Sequence, residues 1–121
     1  MNKLCYTLLF LVLFISCSSD SDDNNNVNDP ILGTWNLFSS GGSEVTDCEK
    51  QSTITFASNK TTSSETFQDL AGNCISLTGN DTWENKGDNV YSFNNLESQI
   101  EFSNDNMTFR IVSGNIVYQK Q

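Results

Sequence analysis

From Pro30 onward, apolar and polar residues alternate in short runs: Trp35 and Leu37, Ile54 and Phe56, Tyr91 and Phe93, Ile100 and Phe102, Phe109 and Ile111, each pair split by a polar or small residue or Arg110. A period of two sends successive side chains to opposite faces, the signature of a half-buried strand, and no stretch carries the helical period. The pattern predicts eight strands, over 31–39, 52–57, 61–68, 74–77 continuing toward Trp83, 89–93, 98–102, 107–112 and 116–119. Turn residues separate them: Gly41-Gly42, Ser58-Asn59, Ala71-Gly72-Asn73, Lys86-Gly87-Asp88, Asn94-Asn95, Asn104-Asp105-Asn106 and Gly114-Asn115. In the stretch 77–85, Thr78-Gly79-Asn80-Asp81 reads either as a bulge within one long strand or as a turn that splits it.

Spacing of about eleven residues per strand and turn is that of a meander, so neighbours in sequence become antiparallel neighbours in the sheet. Eight such strands either expose two edges or close on themselves, and closure removes the edges. The expected fold is therefore all-β, a small up-and-down antiparallel eight-stranded barrel. Alternation assigns its interior to Trp35, Leu37, Ile54, Phe56, Ile75, Leu77, Tyr91, Phe93, Ile100, Phe102, Met107, Phe109, Ile111, Ile116 and Tyr118, while the run 61–68 shows no strong apolar face.

The N-terminus follows a different rule. Lys3 precedes an apolar stretch, Leu4 to Ile15, which is shorter than the roughly 20 residues that cross a bilayer and is the length of an export signal. Phe14-Ile15-Ser16-Cys17 resembles the lipobox of bacterial lipoprotein signal peptides. That resemblance implies a signal peptide over 1–16, cleaved before Cys17, with Cys17 acylated as the membrane anchor. An ordinary secretory signal ending in Cys and an uncleaved anchor are the alternatives. Residues 17–29 are acidic and Asn-rich, too polar to offset their ordering entropy, and read as a flexible tether to a domain over 30–121. Asp20, Asp22 and Asp23 lack the spacing of a calcium loop. Ser21-Asp22-Asp23 instead resembles the surface-export signal of Bacteroidota lipoproteins, which implies an outer-membrane protein exposed on the cell surface.

Charge narrows the partners. Fifteen acidic residues against six basic ones give −9, and loss of Lys3 with the signal gives −10, which argues against nucleic acid and against direct binding to an anionic lipid surface. Of four cysteines, Cys5 lies in the signal and Cys17 at the lipidation position, leaving Cys48 and Cys74. In an oxidising compartment that pair reads as a disulfide worth roughly 3.5 kcal/mol in the chain-entropy picture. Two free thiols, or half of a metal site, is the weaker reading because the chain has no histidine. The same lack removes the usual acid–base group near neutral pH, and no nucleophile elbow, phosphate loop or dinucleotide fingerprint is present. Carboxylate pairs such as Glu44 with Asp47 or Glu97 with Glu101 arise by chance among fifteen acidic residues. The sequence thus predicts no enzyme, no catalytic residue, no metal and no cofactor.

Gly33-Thr34-Trp35 in the first strand is similar to the Gly-x-Trp signature of lipocalins, and residues 31–121 resemble the short lipocalin-like domains of Bacteroidota lipoproteins, a calycin-type fold. The resemblance implies that Gly33 bends the chain at the barrel base and that Trp35 plugs that end beneath a basic side chain from a late strand, for which Arg110 is the candidate. The Thr-Asp-Tyr motif of larger lipocalins has no counterpart, since the corresponding turn reads Ser103-Asn104-Asp105-Asn106. The expected function is binding of a small hydrophobic ligand in a lumen lined by Trp83, Tyr91, Phe93, Phe102, Phe109 and Tyr118. The alternative is a solid barrel that meets a protein or glycan partner with its outer surface. A lumen of about 300 Å³ or more separates the first from the second.

Overall fold

The computed structural model describes residues 29–121, and the lipidation position Cys17, the signal segment and most of the tether lie outside them. The strands are β1 (Gly33–Ser40), β2 (Ser43–Glu44), β3 (Thr53–Phe56), β4 (Thr61–Leu70), β5 (Asn73–Gly87), β6 (Val90–Phe93), β7 (Leu96–Ser103), β8 (Thr108–Ile111) and β9 (Ile116–Lys120), with one 3-10 turn at Glu49–Gln51. All neighbours are antiparallel, and β1 pairs with β9 to close an eight-stranded barrel, to which two-residue β2 is appended at the far end of β1. The meander is tight because its turns hold residues that accept left-handed backbone. Asp88-Asn89, Asn94-Asn95 and Asn104 to Asn106 all have positive φ, where Asn and Asp are tolerated better than other side chains.

Thr78–Asp81 is neither a turn nor a break. β5 runs through it and changes partner at its end, pairing with β4 as far as Thr82 and with β6 from Trp83 onward. Because β3 accompanies β4 only to Glu65, the outer part of the β4–β5 hairpin rises past the barrel as an arm. This explains why Ile75 and Leu77, assigned to the interior by alternation, are exposed. Their face of the sheet is the inner one, but at their height no barrel surrounds it. Met107 is exposed as well, at the turn that leads into β8.

The core is aromatic. Ile31, Trp35, Phe56, Trp83, Tyr91, Ile100 and Phe109 are buried, and Leu32, Ile54, Phe93, Phe102, Ile111 and Tyr118 pack against them. Trp35 meets Phe109 edge-on at 4.6 Å between centroids, and Phe109 stacks on Tyr118 at 4.8 Å. Such pairs add about 0.5–1.5 kcal/mol each to the area they bury. Asp29, placed in the tether by its composition, belongs to the barrel. Its carboxylate accepts from the Ile31 N–H at 3.0 Å, the Tyr91 hydroxyl at 2.8 Å and the Asn85 amide at 2.8 Å, and so pins the entering chain to β5 and β6.

Candidate functional site

The two ends of the barrel differ. At the base, where the chain enters, the indole N–H of Trp35 donates to the Ile31 carbonyl at 2.7 Å, and the Lys120 ammonium lies 5.0 Å from the indole ring while donating to the Pro30 carbonyl at 3.3 Å. Gly33 has φ of +119°, and a Cβ there would stand 3.0 Å from the Lys120 side chain. Only glycine takes that conformation without strain and leaves room for the lysine. The base is shut.

Above Trp35, the lower half of the barrel is filled. Phe56 meets Trp83 edge-on at 6.0 Å and Phe109 at 6.1 Å, and Tyr91 meets Phe102 at 6.0 Å. Burial, with a smaller contribution from the bond to Asp29, raises the Tyr91 pKa well above the ordinary phenol value, and burial alone raises that of Tyr118. Both therefore sit in the core as neutral phenols across the physiological range. Among the described residues no buried side-chain nitrogen or oxygen lacks a partner, so nothing in the wall solicits a polar guest.

Only the upper half keeps space. A gap of about 40 Å³ opens among Ile54, Phe56, Phe93, Phe109, Ile111 and Tyr118. That is room for at most a few water molecules and far below the several hundred Å³ of a site that encloses a ligand. The inner face continues above the gap. Register places Ile54 opposite Ser64, Ser64 opposite Gly79, Thr66 opposite Leu77, Gln68 opposite Ile75 and Leu70 opposite Asn73 on it, so above Ile54 three aliphatic side chains stand among polar ones. Leu96 lies on the same face opposite Phe93. Leu96 is 73% exposed, Leu77 57%, Leu70 51% and Ile75 37%, a concentration of bare aliphatic surface on one side of the mouth. Patches of this kind mark contact sites on soluble domains.

Two polar clefts lie near the partner change of β5. One of about 480 Å³ is lined by Thr61, Thr62, Ser63, Asn80, Asp81, Thr82 and Asn94. The other, about 280 Å³, includes Lys60, Trp83, Glu84 and Ser92, with the Lys60 ammonium 4.2 Å from the Trp83 ring. Both are open, and among the described residues no group of three metal-ligating side chains converges in either.

The model of the lipocalin-like domain family matches residues 31–109. The chain belongs to that family. No curated protein matches it. Within this lipocalin-like barrel, Gly33 and Trp35 stand at the base, but the cation over Trp35 is Lys120. Arg110 points outward, where it is ion-paired with Glu101 and donates to the Asn115 amide oxygen at 3.3 Å. The reason is parity: Phe109 faces inward, so its neighbour Arg110 faces out, whereas Lys120 lies two residues beyond inward-facing Tyr118 and directly opposite Trp35. Of the six residues expected to line the lumen, Phe93, Phe109 and Tyr118 border the gap, together with Ile54, Phe56 and Ile111. Trp83, Tyr91 and Phe102 do not border the gap, and Trp83 instead borders the polar cleft of about 280 Å³. Trp83 donates through its indole N–H to the Ala57 carbonyl at 2.9 Å and is packed into the wall, and the other two fill the lower core. Cys48 and Cys74 form the expected disulfide, which ties the tip of the arm to the loop before β3.

Proposed function

We propose that this lipocalin-like barrel is the folded domain of a lipid-anchored envelope lipoprotein that binds a small hydrophobic ligand at the mouth of its lumen, against the inner face of the arm. The observation that carries this reading is the apolar gap beside Phe93 and Ile111 with exposed Leu96, Leu77 and Ile75 standing above it on the inner face. Family membership supports it, since lipocalin-like domains are in general binding proteins rather than enzymes. The filled lower half means that a guest sits high, with one side in contact with the arm. The lipid anchor at Cys17 and the place at the outer membrane, on the cell surface, rest on the lipobox and the acidic segment behind it.

Titration of residues 18–121 with a neutral naphthylamine dye tests the site. The expected result is a saturable rise in fluorescence that Ile111→Trp, which fills the gap, weakens at least tenfold. Saturable binding indifferent to that substitution would remove the mouth as the site. Absence of any saturable binding would favour the second reading, a barrel that works through its outer surface on a protein or glycan, to which the filled lower half also points. The anchor is tested by fractionation of cells: Cys17→Ser should move the protein from the membrane to the soluble fraction, and retention in the membrane would sink the lipobox assignment.

A further inference from the structure

One edge of the arm has no partner. Between Asn73 and Asp81, β5 is paired on one side with β4, and no strand among the described residues pairs with the other side, because β6 joins only at Trp83. The Thr82 carbonyl points toward β6, accepting from the Asn94 N–H at 3.0 Å, while the Trp83 N–H points the other way, to the Lys60 carbonyl at 2.9 Å. Backbone groups alternate along a strand, so Cys74, Ser76, Thr78 and Asn80 each direct an N–H and a C=O to the open edge. Proteins usually protect such an edge with charge, proline or a bulge. Here the eight residues Asn-Cys-Ile-Ser-Leu-Thr-Gly-Asn carry none of these, in a chain whose net charge is −9.

We infer that the free edge of β5 pairs with the same edge of a second copy, antiparallel, about a two-fold axis at Leu77. In that register Cys74 is opposite the partner's Asn80 and Ser76 opposite the partner's Thr78, so all four outward-directed residues of each copy exchange both of their backbone bonds. A register shifted by one residue would place inner faces against outer faces. The two-fold register keeps the inner faces together, sets one Leu77 beside the other and brings Ile75 alongside. It also sets Asp81 opposite the amide of the partner's Asn73, so no two carboxylates meet across the seam despite the acidity of both chains. A foreign extended peptide would satisfy the same backbone groups. The self-pairing is favoured because it also covers the exposed leucines with leucines and keeps every seam position uncharged or matched to an amide. This dimer does not depend on the binding reading above: it is read by mass in the absence of any dye, and the dye result is read at the gap.

The test uses residues 18–121 in sedimentation equilibrium at concentrations up to about 100 µM, with cross-linking through one introduced cysteine while the Cys48–Cys74 disulfide stays oxidised. Residues directly opposite at a non-hydrogen-bonded position have Cα atoms about 4.5 Å apart, within the range a disulfide spans. Leu77→Cys should therefore give a covalent dimer on mild oxidation, whereas Ser76→Cys, which faces Thr78 rather than itself, should give little. Ser76→Pro, at a position whose N–H faces outward and leaves the β4 pairing intact, should sediment as a monomer with an unchanged far-UV spectrum. A wild-type monomer at 100 µM, or equal cross-linking from both cysteines, would overturn the proposal. A monomer that binds an extended peptide along this edge would replace it with strand addition by another protein.

Discussion

The barrel and the arm are made of the same hairpin chemistry, yet they are held by different forces. In the barrel every strand has a neighbour on each side, and the alternate residues meet an aromatic core in which Trp35 and Ile100 have no exposed surface. In the arm the same register continues through the last five of the ten β4–β5 pairs, from Thr66 opposite Leu77 to Leu70 opposite Asn73, with water where the core should be. Its anchorage comes from elsewhere: the Cys48–Cys74 disulfide at the tip, and Ser52, whose hydroxyl oxygen accepts from the Phe67 N–H at 2.8 Å. Strand pairing alone does not bury a side chain. Two-stranded segments are marginal in water, and a cross-link substitutes for the missing core.

Replacing the same kind of side chain in both regions gives the sharpest contrast. Trp35→Ala removes the base plug and opens a cavity, at a cost of about 3–5 kcal/mol, which for a domain of this size lowers Tm by more than about 12 °C. Leu77→Ser in the arm, measured below the concentration of any self-association, should stay within about 0.5 kcal/mol. Equal losses in calorimetry would mean that the arm is part of the core after all. Reduction of the disulfide comes next. About 3 kcal/mol of stability should disappear globally, and hydrogen exchange should accelerate first at the amides of residues 66–78, while those of β8 and β9 keep their relative protection. Uniform acceleration across both regions would erase the distinction.

The smallest effect concerns pH and belongs to the barrel alone. Tyr91 has its pKa raised above the ordinary 10.0, by burial first and by Asp29 second. The unfolded chain therefore ionises before the folded one. The stability tied to neutral Tyr91 is complete below pH 10 and is lost progressively as the pH climbs beyond it. Tyr91→Phe should cost about 1 kcal/mol at pH 7, where the bond to Asp29 is lost, and should flatten the alkaline decline of Tm. A decline as steep as that of wild type would show that Tyr91 does not carry it.

How much of this could be read from the chain follows the same divide. The eight barrel strands and the turns at Asn94-Asn95 and Asn104 to Asn106 were legible because period-two alternation and turn residues act locally, and the cysteine pair because Cys48 and Cys74 alone remain beyond Cys17; two-residue β2 carries no such signal. Alternation also gives the face of a residue, and by that rule Lys120 could have been placed under Trp35, had the last strand been carried one residue past Gln119. What alternation lacks is height along the barrel axis. Ile75 and Leu77 face the right way but stand above the rim, because four-residue β3 reaches no higher than Thr53 opposite Glu65 and β6 pairs with only the lower end of β5. Asp29 escaped for a different reason: its surroundings in sequence are polar, and its partners, Asn85 and Tyr91, lie 56 and 62 residues away.

The seam between β1 and β9 sets Trp35 against Lys120, the first strand against the last. Every other pairing in the meander joins segments adjacent in the chain and can form while the rest is still unfolded, the β4–β5 hairpin soonest. Closure carries the loop entropy of nearly the whole domain and comes late, so folding is paced by one long-range event. Without Ile116–Lys120, β1 and β8 would both present open edges, and the remaining strands would leave the aromatic core face bare. The interval before that last strand docks is when this chain is most open to aggregation, and when a chaperone would have most to hold.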